Sequence, residues 1–334
     1  MVQKKADGWL CGMLGVAIFS GSLPATRLAV ADLPPVFLTS ARAAIAAIIA
    51  MAVLFALQAK RPAARQLPVL ALIALGVVIG FPLLSGYALQ EISAARSLVF
   101  IGLLPLSTAA FGVLRGGERP QPAFWFFAVL GSACVIGFAS MQHQAATLHG
   151  DLLMLAAIVA CGYGYAEGGR LSRELGGWQV ISWALVIALP VTLTLTVTHW
   201  PAHVGQVRTS SWIALAYVSL FSMLIGFFFW YRGLALGGIA AVGQLQLLQP
   251  FMGLSLAALI LHESIGWPIL AAAASIAVCV AAAKRFAVVR VETRIARPIG
   301  KLKPGQDKEA RDVEAIAGQR SERGNRIDKA MASE

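Results

Sequence analysis

The stretch "LLPLSTAAFGVLRGGER" at residues 103–119 is echoed by "LLQPFMGLSLAALILHES" at residues 247–264. Each is an apolar, helix-like segment carrying a proline, Pro105 or Pro250, with a glutamate 13 residues further on, Glu118 or Glu263. The prolines stand 145 residues apart, and the same offset lays Cys134 over Cys279. Upstream, an offset of 143 lays "RLAVADLPPVFLTSARA" from Arg27 over "RLSRELGGWQVISWALV" from Arg170. The chain thus reads as a unit stated twice, residues 1–145 and 146–285, followed by a different segment, 286–334.

Composition says what kind of unit this is. The chain is 58% hydrophobic and only 13% charged, whereas soluble domains carry about a quarter charged residues. Of its 27 Lys/Arg and 16 Asp/Glu, 11 and 8 respectively lie after residue 285, so the first 285 residues are poorer still in charge. The net +11 therefore belongs to basic loops of a membrane protein rather than to a nucleic-acid binder. The last segment is polar, mixed in charge and poor in aromatics. It lacks the apolar area to order itself and reads as a disordered cytoplasmic tail.

A bilayer span needs about 20 mostly apolar residues. On that template ten segments emerge, at 8–30, 36–58, 67–89, 94–114, 122–140, 150–170, 178–198, 211–232, 239–261 and 267–285. With the N-terminus inside, the inner segments collect Lys60, Arg61, Arg65, Arg115, Arg119, Arg170, Arg173, Arg232, Lys284 and Arg285. The outer ones hold Asp32, Glu91, Asp151, Arg208 and Glu263. That bias predicts a multi-pass membrane protein with both termini cytoplasmic. Five spans per copy is an odd number, so the copies must cross in opposite senses. The expected fold is all-α, ten helices as two inverted five-helix repeats, the plan of secondary transporters.

The tokens "PLSTAAFGVLRGGER", "QPFMGLSLAALILHES", "AL…ISAA" at 88–95 and "GLALGGIAA" at 233–241 resemble the drug/metabolite transporter superfamily, specifically its ten-helix EamA-type members, over about residues 8–285. Within that group the chain looks most like YddG-type amino-acid exporters of bacterial inner membranes. The resemblance implies a cavity between the halves, lined mostly by spans 1, 3, 4, 6, 8 and 9. It also implies alternating access.

Several side chains are candidates for the pathway. Gln246 and Gln249 share a helical face, with Gln244 about a turn earlier, and buried amides in lipid need partners. Helix–helix glue is the bland alternative. Tyr163 lies deep in "ACGYGYAEGG", beside Gly162 and Gly164, whose lack of a side chain allows bending or close approach. No strand precedes this stretch, so it is not a nucleotide loop. Tyr87, Trp230 and Tyr231 lie near predicted span ends, where aromatic belts are common; Tyr87 and Trp230 are retained as candidate lining. Arg42 and Arg96 either snorkel and pair with Asp32 and Glu91 or form a cationic patch for a carboxylate.

Pro82, Pro105 and Pro250 remove backbone donors, leaving for example the Ile101 and Gln246 carbonyls without helical partners, and are expected hinges. Glu118 and Glu263 close helix C-termini, against the dipole, and are expected to anchor ends or gate. No carboxylate falls in mid-span, the deepest being Glu167, which favours facilitated over proton-coupled flux. The four cysteines sit in apolar runs without CxxC spacing, and "HWPAH" at 199–203 pairs two histidines with a proline and no carboxylate nearby. The expectation is no metal, no cofactor and no catalysis. One chain holds both halves, so a monomer should serve, its partners being a small-molecule solute and the lipid bilayer. An exporter of drugs or other neutral solutes on the same fold is the alternative.

Overall fold

In a computed structural model of the protein, the described residues are 2–92, 97, 100–140, 147–253 and 267–287. Arg96, Glu263, His143, His262 and residues 288–334 of the expected tail lie outside them. Every regular element among the described residues is helical.

The helices are α1 (Val2–Ser20), α2 (Ser22–Ala29), α3 (Pro35–Ala56), α4 (Leu67–Ile73) and α5 (Phe81–Glu91). There follow α6 (Leu104–Gly116), α7 (Pro122–Ser140), α8 (Leu148–Leu175) and α9 (Gly177–Thr198). The series ends with α10 (Thr209–Tyr217), α11 (Gly226–Gly237), α12 (Ile239–Gly243) and α13 (Trp267–Phe286). Among the described residues, six helical stretches are long and apolar enough to cross a bilayer: Ala6–Ala29, Pro35–Ala56, Ala64–Glu91, Leu148–Leu175, Gly177–Thr198 and Thr209–Gly237. The apolar run Pro122–Gly137 is shorter.

The segments at 94–114 and 239–261 are not the unbroken helices expected from hydropathy. The chain turns at residues 102–103 and restarts as α6, with Pro105 in its first turn. There a missing N–H costs nothing. After α12 the chain tightens into a 3₁₀ stretch, Gln244–Leu248, before helix resumes at Gln249 and Pro250. The Gln246 carbonyl, expected to be stranded by Pro250, accepts instead from the Gln249 N–H. Tighter winding has replaced the bond that the proline removed.

Two further irregularities match each other. Between α4 and α5, Ala74–Gly80 is π-helical, and between α10 and α11 so is Val218–Ile225. A side chain on Gly80 would lie 2.5 Å from the Leu75 carbonyl oxygen, and one on Gly226 would lie 2.9 Å from that of Phe221. Only glycine tolerates so close an i−5 carbonyl at the exit of the widened turn. Pro82 follows the first π stretch, in the opening turn of α5.

Packing follows small residues. α1 runs antiparallel to α11 along a glycine seam, Gly8 against Gly237, Gly233 against Gly12 and Gly15 against Trp230. A Cβ on Gly233 would sit 2.7 Å from the Gly12 nitrogen, so the backbones touch. Small residues spaced four apart, Gly8 with Gly12 and Gly233 with Gly237, thus pack on one another inside the chain. Likewise α8 lies antiparallel to the α4–α5 stretch, from Gln66 beside Glu174 at one end to Glu91 beside His149 at the other. α3 packs on α9, and α7 on α13.

Replacing Gly233 with Leu should therefore lower stability by about 1–3 kcal/mol through overpacking, seen as a lower thermal midpoint in detergent. Gly137, with open space where its side chain would be, should accept Leu with no change.

Candidate functional site

The irregular turns converge. Between α1 and α2 the helix breaks at Gly21, and the carbonyls near the break find side-chain donors. The Tyr217 hydroxyl donates to Ile18 O at 2.6 Å and the Gln249 amide to Phe19 O at 3.2 Å. Broken backbone at membrane depth needs such substitutes. Beside the break lies a cavity of about 30 Å³, walled by Phe19, Val77, Pro82, Leu104, Tyr165 and Phe227, with Ser22, Arg42, Ser222, Cys161 and Gln249 supplying polar or soft atoms. It holds about a water molecule, whereas sites for drug-sized ligands span roughly 300–1,000 Å³.

One wall is aromatic. Phe19 stacks on Tyr165 at 6.4 Å and meets Phe227 edge-on at 5.1 Å, and Tyr165 lies 5.3 Å from Trp230. Opposite stands Arg42, only 4% exposed. Its Nη2 donates to Ser222 Oγ at 3.2 Å, and Ser222 Oγ shares a 2.8 Å hydrogen bond with Ser22 Oγ. Its Nε is buried without a partner. The snorkelling reading fails, because the side chain turns inward. So does pairing with Asp32 or Glu91, both of which are engaged elsewhere.

Other predicted residues divide. Gln249 lines the cavity, as do Pro82 and Arg42. Gln244 and Gln246 are fully buried with both amide atoms unpartnered, Gln246 lying against Tyr165. Tyr163 points away from the cavity, edge-on to Phe111 at 5.4 Å, and Tyr165 takes the lining position instead. Two residues along a helix is about 200° of rotation, so the pattern Cys161, Tyr165 marked the inward face. Tyr87 is 39% exposed and outside the cavity. Trp230 and Tyr231 are not interfacial but fully buried, Trp230 behind the aromatic wall and Tyr231 donating to Gly164 O at 3.1 Å. Gly162 and Gly164 lie on the unbroken α8, where they admit Ser107 and Val77 closely. Pro105 and Pro250 are buried in opening turns, beside the cavity residues Leu104 and Gln249.

Charged contacts lie at both ends. At one end Glu118, 3% exposed, accepts from Arg173 at 2.8 Å and from the N–H groups of Ile239 and Ala240, each at 2.7 Å. It lies past the C-terminus of α6, where Gly117 turns left-handed at φ 67, but it caps the N-terminus of α12. Its charge therefore favours the dipole it meets, the opposite of the expectation. Glu167, fully buried, is held by Arg115 at 2.5 Å and Arg170 at 2.7 Å. At the other end Asp32 binds Arg208 through both oxygens, at 2.8 and 3.0 Å, and Ser211 at 2.6 Å. Glu91 there takes His149 and Thr147, at 2.6 and 2.8 Å, and Arg27 donates to the Leu89 carbonyl.

The EamA-like transporter family model matches the chain twice, over residues 7–139 and 148–283. The chain belongs to the EamA family. Its similarity to the uncharacterized transporter YdeK of Bacillus subtilis (strain 168) is 59% identity over 286 residues, 86% of this chain and all of YdeK. It is 22% identical over 231 residues to the uncharacterized transporter YyaM of the same organism, covering 66% of this chain and 76% of YyaM. A solved crystal structure matches with TM-score 0.69 at 20% identity, over 85% of this chain and 98% of that one. At that identity the likeness concerns the fold. This EamA-family transporter is thus a multi-pass membrane protein of two-repeat architecture.

The end contacts are open to direct checks. Glu118→Ala strips a carboxylate from two buried N–H donors and from Arg173, and should cost about 2–3 kcal/mol, read as a drop in thermal midpoint. Glu118→Gln, which keeps an acceptor for the helix, should cost less. At the other end the Arg208 guanidinium first, then the Ser211 hydroxyl, lowers the Asp32 carboxyl from 3.8 to about 2, against the opposing effect of burial. A lowered carboxylate pKa stabilises above its unfolded value and loses that contribution as pH falls through the folded one. The thermal midpoint should therefore fall between about pH 4 and pH 2, and Asp32→Asn should flatten that part of the profile.

Proposed function

We propose that this EamA-family protein is a carrier exporting small amphipathic metabolites, a class that includes amino acids, by alternating access. The observation that carries the reading is the central cavity, walled by side chains from both repeats, with separate charged contacts at each end. In this reading ten spans form two inverted five-helix repeats. Two things support it: the matched π stretches, and the paired packing of α1 on α11 and of α8 on α4–α5. Inverted repeats rock about a site at their interface.

Arg115, Arg170, Arg173 and Lys284 gather at the Glu118 end, so the positive-inside rule assigns that end, and both termini, to the cytoplasm of a plasma membrane. Both halves lie in one chain, so the unit is a monomer. Pro82, Pro105 and Pro250, at the irregular turns around the cavity, are the points where the walls separate, and close packing at Gly162 and Gly164 is what must slide. No Asp or Glu is among the cavity's lining residues, so flux runs down its gradient without protons.

Two measurements test this. Purified protein in liposomes should take up members of a labelled amino-acid panel above empty vesicles, equally with and without an imposed proton gradient. Accumulation driven by the gradient would overturn the uncoupled reading, and flux confined to uncharged drugs would transfer the cavity to that cargo. In a variant retaining Cys161 alone, a water-soluble thiol reagent should reach the cavity only while transport is permitted. A thiol that never reacts counts against alternating access.

A further inference from the structure

We infer that Arg42 is the anchor for a substrate carboxylate, and that the cavity selects organic acids of net negative charge over zwitterionic amino acids of the same skeleton. The inference rests on the carrier reading above.

An arginine presents five N–H donors and stays charged when buried. Of these, Arg42 spends one on Ser222, and its Nε has no partner. A buried cation is normally paired with an anion. The carboxylates nearest in the topology are committed elsewhere, Asp32 to Arg208 and Glu91 to His149 and Thr147. Glu118 and Glu167 are held by other arginines at the far end. Among the described residues the guanidinium's hydrogen-bond partner is the Ser222 hydroxyl, itself bonded to that of Ser22. A guanidinium fork with adjacent hydroxyl donors is a carboxylate-binding arrangement.

The opposite wall decides the rest of the ligand. Phe19, Tyr165 and Phe227 offer ring faces and edges, suited to an apolar body. An α-ammonium would find no carboxylate among the lining residues, and the Phe19 carbonyl is already taken by Gln249. Set beside its own carboxylate, it would also approach the Arg42 charge. A solute with one negative charge and a branched or aromatic body meets every partner on offer. A purely structural arginine tying α3 to Ser222 would need only one donor and no unpartnered Nε.

The experiment compares isocaproate, isocaproamide and leucine, which share a skeleton and differ in charge. Ligand-dependent thermal shifts are measured on the full chain in detergent, and flux of the same labelled compounds in liposomes. Isocaproate should raise the midpoint, isocaproamide should not, and leucine should need at least about tenfold more for the same shift. Arg42→Gln should abolish the isocaproate shift. Should that variant fail to fold, Ser222→Ala and Ser22→Ala should each raise the isocaproate concentration needed by several fold. Equal shifts from acid and leucine, or an isocaproate shift unaltered in these variants, would overturn the proposal. Flux in the wild type that ignores the acid–amide difference removes the anchor and leaves the carrier reading standing. An Arg42-dependent isocaproate shift without flux of any solute keeps the anchor and removes the carrier.

Discussion

The governing constraint is the backbone hydrogen bond in lipid. A carbonyl that loses its helical partner inside a bilayer has no water to fall back on. This chain nevertheless interrupts its helices at Gly21, at Ala74–Gly80, at Val218–Ile225 and at Gln244–Leu248. Each interruption is satisfied within the protein. Tyr217 and Gln249 serve the first, i−5 bonds serve the two π stretches, and a 3₁₀ bond takes the carbonyl that Pro250 would strand. Because the substitutes at Gly21 come from other helices, that break lies against the segments that carry Tyr217 and Gln249. The cavity lies beside it.

The same economy places the charges. Buried carboxylates sit only where several donors surround them, Glu118 between Arg173 and the α12 N-terminus and Glu167 between two arginines. The Asp32–Arg208 pair at the opposite end is more open, its arginine 57% exposed. Between these ends, among the described residues, Arg42 is buried with the Ser222 hydroxyl as its hydrogen-bond partner.

Much of the fold was legible. Hydropathy marked the six long spans, and the repeated proline and glutamate pointed to two related halves. At the site, Gln249 and Arg42 were named, but their surroundings were not. Arg42 meets Ser222 across 180 residues of sequence, a contact no local pattern encodes. Tyr163 was chosen over Tyr165 because it looked deeper, although helical rotation places only the latter with Cys161. Trp230 and Tyr231 resembled a belt because π winding and the glycine seam, which draw them inward, leave no trace in hydropathy. Glu118 was judged against its own helix, whereas the dipole it serves belongs to a helix 121 residues away.

Those end contacts bear on the carrier cycle proposed above. Opening the Asp32 end means separating an ion pair already in water, and such pairs contribute little. Opening the Glu118 end means taking arginines from two nearly inaccessible carboxylates and a cap from α12, leaving buried groups unpartnered, a far larger penalty. This form is therefore not midway in energy between its two open neighbours. Its easier exit is towards Asp32, and reaching the other side requires a stimulus that repays the broken Glu118 and Glu167 contacts. A solute that neutralises Arg42 and packs against Phe19 and Phe227 acts on α3, on the α1–α2 break and on the π stretch before α11. Through the glycine seam that same α1–α11 pair reaches Gly237, immediately before the residues that Glu118 caps. On the carrier reading, the centre and the tight end share this close, side-chain-poor contact.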